Sequence, residues 1–158
     1  MKFQQSLLFF VVIGFALILS APCSAQEAIQ TQIGADGAEV DLVQAKLNGK
    51  VLSIAFKVRA PADDDISQFF FKPEEVFYVD AEQNIKYHIL KDEKDKWLAG
   101  PLQSLVGPGD QYLVGLKYIG EGKSGIIWMK FPAPAGENVK IELNLPGVVP
   151  FSDVEIGQ

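Results

Sequence analysis

The sequence predicts an all-β protein, an antiparallel sandwich of two sheets built from seven to nine short strands. Three observations predict it. Apolar and polar residues alternate with a period of two, as in Leu52, Ile54, Phe56 and Val58 against Ser53, Ala55, Lys57 and Arg59. Turn-forming Gly, Pro, Asn and Asp recur at a spacing of about 8–12 residues. Beyond residue 25, no segment carries the apolar spacing of an amphipathic helix. A sheet with one apolar face must bury that face, and two such sheets covering each other make a sandwich.

The first 25 residues are read separately, as a secretory signal. Lys2 is the one charge in Met1 to Gln5, and Leu7 to Leu19 is an apolar run of 13 residues. That is a signal-peptide length, short of the roughly 20 residues of a spanning helix. Ser20 to Ala25 is small and suits cleavage before Gln26. The alternatives are an uncleaved anchor or a lipoprotein attached through Cys23, the only cysteine. Lipid attachment calls for Gly or Ala just before the cysteine and Leu three before it, where this chain has Pro22 and Ser20. The expected product is periplasmic or secreted, with no membrane span after cleavage.

Residues 26–37 read as a flexible leader and 38–158 as the domain. Val40 and Leu42 alternate with Glu39 and Asp41, and the phase shifts near Val43. Asn48-Gly49 then marks a hairpin into the strand of Leu52 to Val58. Pro61 to Ser67 is a loop, followed by Phe69, Phe70 and Phe71. Val76–Val79 and Ile85–Leu90 form a strand pair around the turn of Asp80 to Asn84. Lys91 to Lys96 is an exposed charged turn, and residues 99–110 form a Gly- and Pro-punctuated loop. Tyr112 to Ile119 and Ile126 to Phe131 are strands joined by Gly120 to Gly125. Val139, Ile141, Leu143 and Leu145 alternate with polar residues, and Val154 and Ile156 close a last strand. Trp128 is expected to be a buried residue between the sheets.

Without its leader the chain has no cysteine, so the domain must be held by burial rather than disulfides. Loss of Lys2 takes the net charge from −6 to −7. An acidic balance without a basic cluster argues against nucleic acid and against electrostatic attachment to anionic lipid.

Two quoted stretches, "VFYVDAEQNIKYHILKDEKDKWLAGPL" and "IIWMKFPAPAGENVKIELNLPGVVPFSDVEI", carry a family resemblance. The sequence resembles a group of immunoglobulin-like β-sandwich domains of unknown function in exported bacterial proteins, some fused to OmpA-type peptidoglycan-binding domains. The similarity runs from Val40 to Ile156 and rests on Tyr78, Asp80, Lys86, Tyr87, Lys91 and Asp92, then on Trp128, Lys130, Phe131, Pro132 and Pro134, and on the close of Pro146, Gly147, Pro150 and Phe151. It implies an immunoglobulin-like fold and a place in the cell envelope. It brings no catalytic residues.

The remaining candidates are few. His88 is the only histidine, on a strand between Tyr87 and Ile89, and a Ser-His-Asp arrangement would need a carboxylate and a nucleophile beside it. A zinc site would need several His or Cys. Asp63, Asp64 and Asp65 offer oxygen ligands for calcium but lack the EF-hand spacing. Gly120 to Gly125 contains Gly-Lys-Ser without the first glycine of a phosphate loop. Trp97, Trp128 and the four tyrosines suffice for a carbohydrate-binding face, although strand spacing assigns most of them to packing. Phe69, Phe70 and Phe71 cannot all point inward from one strand, which makes them candidates for a partner contact. The sequence therefore predicts a non-catalytic binding or structural module with no cofactor, whose partner is another envelope protein or a cell-wall component. The alternative is a periplasmic protein that binds a small ligand, carbohydrate or calcium.

Overall fold

The computed structural model describes residues 27–105, 111–136 and 139–157. They form an all-β antiparallel sandwich. Its strands are β1 (Gln30–Ile33), β2 (Glu39–Asn48), β3 (Val51–Arg59), β4 (Phe69–Phe71), β5 (Phe77–Asp80), β6 (Ile85–His88), β7 (Ala99–Gly100), β8 (Leu102–Leu105), β9 (Gln111–Leu116), β10 (Ser124–Pro132), β11 (Lys140–Asn144) and β12 (Phe151–Glu155). They make a five-stranded sheet in the order β1-β2-β3-β10-β7, a four-stranded sheet β12-β11-β5-β6 and a three-stranded sheet β4-β9-β8. Short 3-10 turns occupy Ala35–Gly37 and Pro73–Glu75. The expected signal peptide lies outside the described residues, among which no helix is long and apolar enough to cross a membrane.

The five- and four-stranded sheets share one core. Leu52, Ile54, Phe56 and Val58 of β3 are all buried, as the period of two requires, and Ile141 and Leu143 of β11 are buried from the other side. Phe56 meets Phe151 of β12 with ring centroids 5.3 Å apart. Tyr78 of β5 meets Phe131 of β10 edge-on at 5.5 Å. The Tyr78 hydroxyl donates to the Pro132 carbonyl at 2.9 Å, so the largest buried polar side chain is satisfied without leaving the core. Phe69, Phe71 and Val114 carry the core into the three-stranded sheet.

Local irregularities set the register. The phase shift near Val43 is a β-bulge, where pairing jumps from Leu42↔Phe56 to Gln44↔Ala55. A second bulge places Ser152 and Asp153 between Val154, opposite Ile141, and Phe151, opposite Leu143. Asp153 takes a φ of 53° there, which lets Phe151 and Val154 both face the core although they are three residues apart. The hairpin between β2 and β3 lies one residue further on than Asn48-Gly49 suggests. Asn48 pairs with Val51, so the central pair is Gly49-Lys50, with positive φ at Gly49 alone.

The strand count exceeds the expected seven to nine because short strands occupy segments that look like loops. Residues 26–37 are not simply a leader: β1 pairs with β2, and Gln30 and Gln32 donate side-chain hydrogen bonds to the carbonyls of Ser152 and Pro150. Residues 99–105 hold β7 and β8, paired with β10 and β9. Polar composition and Gly-Pro punctuation hid these strands, and the partner of β7 is also distant in sequence. The largest correction concerns Trp128, which lies on the outside of the sandwich with 43% of its surface exposed. In β10 it is Ile127, Met129 and Phe131 that point inward.

Candidate binding face

The residues singled out from sequence are not brought together. Asp63, Asp64 and Asp65 are all exposed. Asp64 Oδ1 accepts from the Asp65 amide at 2.8 Å, and the Asp65 carboxylate lies near the phenol of Tyr118. That phenol is 64% exposed, and the Asp65 charge raises its pKa above the ordinary tyrosine value. The acidic run is thus an exposed loop in which Asp64 and Asp65 turn to different groups. Among the described residues, no group of three or more His, Cys, Asp or Glu is placed to hold a metal ion. His88 faces solvent beside Phe77, the ring centroids 6.1 Å apart.

The three consecutive phenylalanines divide as strand geometry demands. Phe69 and Phe71 are buried and meet edge-on at 6.2 Å, so neither is available to a partner. Phe70 is half-buried and lines a groove of about 250 Å³ with Ala35, Gln68, Pro146 and Gly147. The other aromatics scatter. Tyr78 is buried and stacks on Tyr87 at 4.7 Å, while the Lys91 ammonium covers the Trp97 ring at 4.4 Å.

The outer face of the five-stranded sheet gathers more recognition chemistry. Its side chains stand in rows set by the register. One row runs Glu39, Arg59, Ser124; the next Asp41, Lys57, Ile126; the third Gln44, Ala55, Trp128, Gly100; the fourth Lys46, Ser53, Lys130. The first two rows are tied together by charge. Asp41 Oδ1 accepts from the Thr31 hydroxyl at 2.7 Å and from Arg59 Nη2 at 3.0 Å, and the same guanidinium nitrogen lies 3.0 Å from Glu39 Oε2. Arg59 is therefore occupied. Lys46, Lys57 and Lys130 form no ion pair among the described residues.

Trp128 dominates the third row. A Cβ placed on Gly100 would lie 2.9 Å from Nε1, Cε2 and Cζ2 of the indole. A point equidistant from three consecutive ring atoms lies off the ring plane, so the indole rests with one face on the Gly100 backbone. Ala55, directly across on β3, is too short to cover the ring. Among the described residues no cation lies over it, in contrast to Phe77, which carries Lys86 at 3.5 Å, and to Trp97. The result is a flat aromatic surface backed by main chain. Exposed Ile126, two residues along the same strand, extends the apolar area.

The signal that could have found this face is in β10 itself. Trp128 shares its phase with Ser124 and Lys130, whereas the opposite phase carries Ile127, Met129 and Phe131. Two polar members in a phase of five mark it as the solvent side. No protein-family model, curated protein or solved structure matched the chain.

Proposed function

We propose that the protein is a non-catalytic binding module of the bacterial cell envelope, exported by its N-terminal signal, and that the outer face of the five-stranded sheet is its binding surface. The observation that carries this reading is Trp128. A large aromatic ring set on main chain with 43% of its surface exposed loses little conformational freedom when it is buried by a partner, the property that favours tryptophan in binding sites. The resemblance of residues 40–156 to immunoglobulin-like domains of exported bacterial proteins supports the envelope setting, as does the apolar run of Leu7 to Leu19 followed by small residues. Arg59, Asp41 and Glu39 order the neighbouring rows, so the surface is preorganised rather than assembled on contact.

The test is co-sedimentation of the purified protein with isolated cell-wall and membrane fractions. The expected outcome is retention that drops at least tenfold in Trp128→Ala while the melting curve still shows a folded protein. Equal sedimentation of the two forms would remove the outer face as the binding surface. Intact mass of the exported protein tests the remainder: a chain beginning near Gln26 is expected, and an acylated product beginning at Cys23 would contradict it.

A further inference from the structure

We infer that this face binds an acidic glycan, with one sugar ring stacked on the open side of Trp128 and a carboxylate of the chain held over Ser53 between Lys46 and Lys130. The inference rests on the reading of the Trp128 face as the binding surface and names its ligand class. Three observations carry it.

The first is the geometry of the ring. A pyranose presents a flat patch of C–H groups that stacks on an aromatic face, and it needs that face open and rigid. The indole is backed by Gly100 and 43% exposed, and among the described residues neither a cation nor a second aromatic ring lies over it.

The second is the row beside it. Ser53 pairs with Lys130 on one side and with Lys46 on the other, so three adjacent strands present Lys, Ser, Lys in one line. Strands are about 4.8 Å apart, so the two lysines are rooted about 10 Å from each other, and this row lies about 7 Å from the Trp128 row. Ser53 leaves the space between them open and offers a hydroxyl. Two long ammonium side chains can converge on one carboxylate there by charge-assisted hydrogen bonds.

The third is charge. The chain is acidic overall, at −6, and its Arg59 is paired with carboxylates, whereas among the described residues Lys46, Lys57 and Lys130 around the indole are not. A local excess of free cations on an acidic protein selects a sparsely charged anion. A single-stranded nucleic acid, with one phosphate per nucleotide, would be repelled by the rest of the molecule and would find one stacking ring where such sites use several. An acidic peptide gains most from a sheet edge, where main-chain groups are free, and Trp128 and Ser53 belong to the two central paired strands β10 and β3.

Affinity electrophoresis and titration calorimetry of the purified protein provide the test. The probes are polygalacturonate and alginate, methyl-esterified polygalacturonate with its carboxylates masked, poly-glutamate, and a single-stranded oligonucleotide. Binding is expected to one or both carboxylated glycans, with at least a tenfold loss on esterification, in Trp128→Ala, and in the double variant Lys46→Gln, Lys130→Gln. The double variant should also flatten the salt dependence, and Lys72→Gln, outside this face, should leave binding unchanged. Unaltered melting curves of the lysine variants keep the result free of folding effects. Equal binding of the esterified polymer, tighter binding of poly-glutamate or the oligonucleotide, or no binding of either carboxylated glycan would overturn the inference. If Trp128-dependent retention on cell-wall fractions persists in those cases, the binding-face reading stands without this ligand; if it is also lost, both fall.

Discussion

The two faces of β10 hold the same kind of residue in opposite roles. Phe131 points inward, fully buried against Tyr78, and Trp128 points outward, flat on Gly100 and open to solvent. The larger ring is thus the less buried. Aromatic size alone does not assign a residue to the core; the company it keeps in its own strand phase does. The inward ring contributes to stability through area removed from water, whereas the outward ring keeps much of its area available to a partner.

That comparison can be broken experimentally. Phe131→Ala should have the largest effect, a loss of about 3–5 kcal/mol, because a fully buried ring leaves a cavity as well as lost contacts. Chemical denaturation of the variant measures it, and a loss below about 1 kcal/mol would mean that the two faces have been assigned the wrong way round.

Gly100→Ala comes next. The added Cβ would meet the indole at 2.9 Å, so the ring must lift from its seat, at a cost of about 1–3 kcal/mol. The accompanying signature is a red-shifted, more quenchable tryptophan emission. Unchanged emission would show that the ring does not rest on Gly100.

Trp128→Ala should cost about 1–2 kcal/mol, the buried part of a large ring, and leave a cooperative unfolding transition. Its melting midpoint should fall by several degrees at about 2–8 °C per kcal/mol. Collapse of the fold would restore the buried position that the sequence suggested.

The smallest effect belongs to Tyr78→Phe, which removes the hydroxyl bonded to Pro132 and should cost about 0.5–1.5 kcal/mol at neutral pH. Its pH dependence sharpens the test. Burial foremost, then the neighbouring Tyr87 and Asp80, raise the Tyr78 pKa well above the ordinary value of 10.0. The unfolded chain therefore releases this proton first. The contribution of Tyr78 is complete below about pH 10 and is lost as pH rises towards the folded value. Tyr78→Phe should flatten the alkaline limb of the stability curve, and an identical limb in both proteins would place the phenol in contact with water.

Much of the fold was legible in the residues because strand periodicity is a local property. Leu52 to Val58, Val139 to Leu145 and the strand pair around Asp80 to Asn84 each alternate clearly, and each became a strand or most of one. In the last of these the turn is held by Asp80 Oδ1, which accepts from the amides of Glu82 and Gln83 at 3.1 Å. The phase shift at Val43 was legible for the same reason: a bulge changes which residue is apolar.

What the chain alone determined, then, is the all-β class, the alternating faces and the places where the chain must turn, since steric and hydrophobic preferences of neighbouring residues act over a few ångströms. Tertiary structure decided the rest. It recruited β1 from an apparent leader and β7 and β8 from an apparent loop, because main chain beside a sheet is satisfied by pairing whatever its side-chain pattern: β1 and β8 pair with the next strand, and β7 with the distant β10. It brought Phe131 of β10 edge-on against Tyr78 of β5 across the sandwich, a contact that the phase of neither strand specifies. It also set Lys46, Ser53 and Lys130 in one row beside Trp128, a line of residues from three strands that exists only once the sheet has closed.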